Sequence, residues 1–102
     1  MAELSIIQKN VLMQIPKGNK RPVKSKEIAE RTGLSQREVM SVIHTLILKH
    51  DIPIGAGRTE GHQGYYIIQN EEQRQQAIVP LQHSIINMNK RVRKLKTIKL
   101  KQ

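Results

Sequence analysis

Apolar residues recur at helical spacing in three stretches of the chain and alternate in a fourth. The most telling stretch is residues 25–46, SKEIAERTGLSQREVMSVIHTL. Ile28 and Ala29 give its first half one inward side. In its second half Val39, Ile43 and Leu46 recur at spacings of four and three, a single apolar face. Polar punctuation separates the two. Ser25 is expected to cap the first helix with its side-chain oxygen. Gly33 stands where that helix ends and the backbone needs positive φ. Leu34 plugs the turn, and Ser35 with Glu38 forms an S-x-x-E capping box that starts the second helix. Helix, three-residue turn, helix is the helix-turn-helix arrangement. Its second helix is the one that usually enters the DNA major groove.

Around this unit the pattern changes period. Leu4, Ile7 and Val11 predict a helix over about residues 3–14, closed by Pro16 and a Gly18-Asn19 loop. Val23 predicts a very short strand before Ser25. Asp51-Ile52-Pro53 ends the helix expected over about residues 36–49. Ile52, Ile54 and Ala56 then alternate, as do Tyr65 and Ile67 against Tyr66 and Ile68. Two short strands around a glycine-rich loop read as a β-hairpin. From Asn70, a good N-cap, one long helix or two run to the end, with Glu71 and Glu72 at the positive start. Pro80 either kinks that helix or sits in the first turn of a new one. The fold expected is mainly α with a small β-hairpin: a domain over residues 1–69, then a basic C-terminal helix over residues 70–102.

Composition narrows the chemistry. At 102 residues there is room for one small domain and an extension. Phe and Trp are absent, so Ile, Leu, Val and Met must fill the core. The absence of cysteine excludes disulfides and thiolate metal sites. No signal peptide is legible at the N-terminus, and no run approaches the roughly 18 apolar residues of a membrane span. A soluble cytoplasmic protein with no membrane partner is the expectation. His44, His50, His62 and His83 lie on different elements, without H-x-x-x-H or H-E-x-x-H spacing. Asp51 is the only aspartate, and no nucleophile elbow or Walker motif is present. The four hairpin glycines do not make a phosphate loop, since no Lys-Ser/Thr follows them. No enzyme, metal or cofactor is expected.

Charge changes the picture more. The net charge is +10, and all eight acidic residues lie at or before Glu72. Residues 73–102 hold eight Lys and Arg and no acid. A nearly neutral domain followed by a cationic arm points to nucleic acid or another polyanion. The alternative is a solvated helix face that keeps the chain soluble.

With Val39, Ile43 and Leu46 inward, 100° per residue puts Arg37, Ser41 and His44 on the outer side of the second helix. Gln36 lies at its N-terminus, and Met40 and Thr45 flank the outer side. Arg pairs bidentately with guanine, Gln with adenine, and Ser with several bases. A Met at position 40 either touches a thymine methyl or, more commonly, is buried. Lys17, Lys20, Arg21 and Lys24 in the loop before Ser25, and Arg58 and His62 at the hairpin tip, are placed to reach phosphates. The candidate DNA contacts are therefore Gln36, Arg37, Ser41, His44, Arg58 and Lys24. For each, the alternative is an exposed polar side chain with no partner.

The run SKEIAERTGLSQREVMSVIHTL, then DIPI and GYYI, resembles the winged helix-turn-helix family. It is similar to the N-terminal repressor domain of biotin-protein ligases and to small winged-helix proteins of phages and mobile elements. The resemblance covers about residues 4–68 and implies a DNA-facing side at Gln36, Arg37, Ser41 and His44, with Arg58 in the wing. It implies a regulator of transcription, or alternatively a replication or packaging adaptor that binds another protein. The 102 residues hold no ligase domain, so nothing about biotin carries over. Thr32 departs from the aliphatic residue usual before Gly33.

Within the C-terminal helix, Ile78, Leu81, Ile85, Met88, Val92 and Leu95 are spaced three, four, three, four, three. That is a coiled-coil seam with β-branched residues at a, which predicts a homodimer. Three arguments oppose it. The seam runs about two and a half heptads, short of the three to four of a confident coiled coil. Pro80 sits in its first turn, and Arg91 and Lys96 at the flanking g and e positions have no acid to meet in a parallel pair. An antiparallel arrangement, packing on the first helix or bound phosphate would relieve that repulsion, and the alternative to a dimer is that the stripe packs back on its own domain.

Overall fold

The computed structural model describes residues 3–100. Three helices, α1 (Ile6–Met13), α2 (Ser25–Thr32) and α3 (Gln36–His50), precede an antiparallel hairpin of β1 (Ile54–Gly57) and β2 (Gly64–Ile67). A long helix, α4 (Glu71–Thr97), follows. The architecture is mainly helical with a small hairpin and a long C-terminal helix, as the periodicities predict.

Local chemistry sets most element boundaries. Ser5 and Gln8 form a capping box at the start of α1, which begins later than the apolar stripe suggests. The buried residues of α1 and its exit are Val11 and Ile15, with Leu12 packed beside them. Ile7 falls at the edge of that face and is half-exposed, so it is not the inward residue that the spacing implies. Ser35 and Glu38 close the expected capping box on α3. Gly33 ends α2 at φ 77° and donates its N–H to the Ala29 carbonyl at 2.9 Å. Thr32 is accommodated because its hydroxyl donates to the Ile28 carbonyl at 2.7 Å. Asp51 caps α3 in the left-handed region at φ 55°, a conformation that Asp tolerates better than most residues. The Ile52 N–H then closes back on the Leu46 carbonyl at 3.1 Å.

Ser25 is not the cap of α2. Val23 exchanges both backbone hydrogen bonds with Tyr65, at 3.0 and 2.7 Å, which holds the chain extended beside β2. Helical geometry begins only after Lys24, the N-cap, which supplies no side-chain cap. Ser25 is thereby the first helical residue, and its hydroxyl donates to Gln36 Oε1 at 3.2 Å.

The core joins Val11, Ile15, Ile28, Ala29, Val39, Ile43, Leu46 and Ile54, all aliphatic. Burying each larger side chain contributes about 1.5–3 kcal/mol. The hairpin lies against this core through Ile54, Ile67 and Tyr65. Its other face carries Gly55 opposite Tyr66. A Cβ on Gly55 would sit 2.8 Å from the Tyr66 ring and 3.1 Å from the Ala77 Cβ. The missing side chain is what lets the ring and α4 close over the sheet. Tyr66 is buried there, its hydroxyl donating to the Gln73 carbonyl at 3.4 Å.

Asn70 caps α4, accepting the Gln73 N–H at 2.8 Å. The helix runs unbroken through Pro80. Its first turns are fastened to the domain: Asn19 donates to Gln76 Oε1 at 2.8 Å, Gln73 Nε2 to Asn19 Oδ1 at 3.4 Å, and Arg58 to Ser84 Oγ at 3.4 Å. Past Ser84 every described side chain is exposed. Ile78 is half-buried, but Leu81, Ile85, Met88, Val92 and Leu95 are each 48–66% exposed. From Ile85 onward the stripe therefore does not pack back on its own domain, while Ile78 is half-buried and Leu81 borders a cleft with Ile47 and Ile54. Its cause is geometric: the domain contacts α4 through Gln73, Ala77 and Ser84, a quarter-turn away from the seam. The radius of gyration, 16.6 Å, exceeds the roughly 13 Å of a compact chain of this length because α4 projects.

Candidate nucleic-acid interface

The α3 capping box and its buried face determine what the helix shows outward. With Val39, Ile43 and Leu46 inside, Gln36, Arg37, Ser41 and His44 are all exposed on the other side. Met40 stands among them and is 53% exposed, so it is a surface residue and not the buried Met that base expectation favours. Thr45 is half-buried and returns its hydroxyl to the Ser41 carbonyl at 3.2 Å. Further along, Leu48 is exposed on the same outer side, whereas Ile47 turns toward the hairpin and α4, lining a cleft with Ile54, Ala77 and Leu81.

Two of the candidate residues converge with the β1–β2 hairpin, the segment that the resemblance reads as a wing. Lys24 and Gln36 line a shallow cleft of about 290 Å³ with Ser25, Lys26, Ala56, Gly57 and Tyr65. The first turns of α2 and α3 both border it. A helix start carries unpaired N–H groups and partial positive charge, and α2 has no side chain capping its own. Lys24 and Lys26 add two full charges at the same place. The start of α3 is closed by its Ser35–Glu38 capping box, and Glu27 and Glu38 stand in the two first turns, so what the cleft offers an oxyanion is the uncapped start of α2 with Lys24 and Lys26. Gly64 makes it possible for the wing to come so close: its φ is 130°, and a Cβ there would lie 2.6 Å from the Val23 carbonyl carbon. Lys26 escaped the sequence reading. Its signal was only proximity to Lys24, two residues away at a helix start.

Arg58 lies elsewhere. It leaves β1 on the α4 side of the wing, where its guanidinium donates to Ser84. The turn that follows is closed by the His62 N–H on the Thr59 carbonyl at 2.9 Å, with Gly61 at φ 83°. His62 and Thr59 border a groove of about 850 Å³ between the wing, Asn19, Lys20 and Pro80. Thus Lys24 and Gln36 come together, Arg37, Ser41 and His44 extend from them along α3, and Arg58 stands apart on α4.

Compared with known proteins, the chain matches no family model, no curated protein and no solved structure.

Ion pairing leaves the cations available. Among the described residues only Arg31 with Glu27, at 3.6 Å, and Arg74 with Glu71, at 2.6 Å, form salt bridges. Arg37, Lys24 and Lys26, and the described cations of α4 beyond Arg74, have no carboxylate partner among the described residues. The same residues include no group of three or more His, Cys, Asp or Glu placed to hold a metal. No helix among them is long and apolar enough to cross a membrane.

Proposed function

We propose that the chain is a cytoplasmic double-stranded DNA-binding protein that regulates transcription. It lays α3 in the major groove, with Arg37, Ser41 and His44 toward base edges and Gln36 at the entry. Lys24, with Lys26, holds a phosphate in the cleft between α2, α3 and the wing. Arg58 exchanges Ser84 for the DNA backbone when the wing docks. A homodimer through Ile78, Leu81, Ile85, Met88, Val92 and Leu95 presents two such surfaces to two half-sites. The observation that carries this reading is the cleft, where the uncapped start of α2 and two lysines meet beside the exposed side of α3.

A second reading rests on a different observation. Met40 and Leu48 are exposed on the outer side of α3, apolar side chains that suit a protein partner in a phage or mobile-element replication or packaging complex. Gel shifts on random duplex at two salt concentrations separate the two. Each phosphate neutralised contributes a slope of about −0.9 in log K against log salt. We expect a steep loss of binding between low and physiological salt. A folded chain that ignores duplex at low salt leaves the adaptor reading in front.

A further inference from the structure

We infer that α4 pairs in parallel with α4 of a second copy only when its positive charge is neutralised, so that the dimer assembles on a polyanion and not in dilute low-salt solution. The part played by DNA rests on the reading above; the pairing itself does not.

The free part of the seam begins where the domain lets go of α4. Ile85, Met88, Val92 and Leu95 are exposed at a and d positions, and Leu81, also exposed, borders the cleft with Ile47 and Ile54 just before them. A coiled coil held over so short a run is marginal, since three to four heptads make a confident one. Small electrostatic terms therefore decide whether it forms. The a positions Ile85 and Val92 are β-branched and the d positions are Leu81, Met88 and Leu95, the division that favours parallel dimers. The polar surround also points to a helix partner. Lys90, Arg91, Arg93, Lys94 and Lys96 occupy f, g, b, c and e of one heptad, so over residues 90–96 the apolar stripe is one helix wide, although Ile86 at the preceding b position is exposed beside it. A bilayer surface is better served by a broad apolar face with Trp or Phe, and the chain has neither.

Those same cations oppose the pairing. In a parallel coil the g residue of one helix lies against the e residue five places on in the other. Arg91 of one copy thus meets Lys96 of its mate, twice per dimer. No acid lies on the chain after Glu72, and both Glu71 and Glu72 belong to the end fastened to the domain, so none can relieve the contact. Screening by salt, or phosphates lying along α4, removes the repulsion and leaves the apolar seam to act.

The test is sedimentation equilibrium of the full chain without DNA, at one micromolar-range concentration, from about 0.01 M to about 1 M NaCl. Over that range the screening length falls from about 30 to about 3 Å. Association should strengthen by about tenfold, the opposite direction to duplex binding. Arg91→Glu puts a carboxylate against Lys96 and should give a dimer at low salt. Val92→Asp should stay monomeric throughout while its circular dichroism and melting match the parent. The chain has no cysteine, so Leu95→Cys offers a single thiol; it should form a disulfide dimer on oxidation at high salt, or on duplex at low salt. A dimer that weakens with salt would overturn the inference, as would a dimer that Leu95→Cys cannot cross-link. A monomer at every salt, even with Arg91→Glu, would also overturn it. So would a monomer that instead pellets with phosphatidylserine vesicles. If salt-driven dimers form but duplex is never bound, the pairing stands and the DNA reading alone fails.

Discussion

On the proposed DNA-binding reading, base reading and phosphate holding would fall to different residues. Arg37 is exposed on α3 and unpaired among the described residues, and a guanidinium there can address a guanine edge. We expect Arg37→Ala to lose discrimination at one base pair, costing about 1–3 kcal/mol at that position. Arg58→Ala should weaken specific and random duplex alike, because backbone contacts carry little sequence information. The two profiles come from competition gel shifts on a panel of single-base variants. Equal losses on specific and random duplex for Arg37→Ala would take it off the reading face. Arg58 bears a second expectation. Its bond to Ser84 is long and exposed, so its loss should move the melting temperature little.

Among the elements, α4 holds the most unusual local choice. A proline in a helix interior removes one N–H and presses its ring on the preceding turn, at a cost of about 3 kcal/mol. Pro80 nevertheless lies ten residues into a continuous helix. It stands where contact with the domain gives out. Ala77 packs on Gly55 just before it, and the Ser84 hydroxyl donates to the Pro80 carbonyl at 3.1 Å just after. Tertiary contacts on the N-terminal side thus hold a helix that propensity alone would break. Pro80→Ala should stabilise the chain by about 1–3 kcal/mol and raise the helical signal in circular dichroism. Unchanged or lower stability would mean that the ring itself contributes to packing in the groove beside Tyr66.

For the molecule as a whole, α4 and the hairpin stand or fall through Tyr66. Burial pushes the phenol pKa of Tyr66, and that of Tyr65, above the ordinary value of 10.0. A raised folded-state pKa means that unfolded chains lose the proton first. The stability is therefore fully present below pH 10 and is lost as pH rises through the folded value. Denaturant melts should be level across the neutral range in this respect and fall off in the alkaline limb above about pH 10. Tyr66→Phe should make that limb shallower, with the Tyr65 share remaining, while leaving neutral stability nearly unchanged, since the hydroxyl bond it removes is long. An alkaline limb identical in Tyr66→Phe and the parent would show that other groups govern it.

Capping and periodicity are local, so the sequence alone determined where α3 starts, where α2 stops, which face of α3 is buried and that a hairpin follows. Ser35, Glu38, Gly33, Val39, Ile43 and Leu46 act on neighbours within a turn or two, and no distant contact overrode them. The crowding of positive charge into the last thirty residues is likewise a property of sequence. What only the tertiary structure decided depended on residues far apart in the chain. Ser25 lost its capping role because Val23 pairs with Tyr65 forty-odd positions away. Lys26 joined Lys24 and Gln36 because the wing closes against two helix starts. Met40 came out to the surface, and Arg58 turned to Ser84 and away from α3. The heptad spacing announced a seam, but spacing is blind to which side of a helix its own domain will take. That choice fell to Gly55, Tyr66 and Asn19, which grip α4 a quarter-turn from the seam and leave Leu81 through Leu95 exposed.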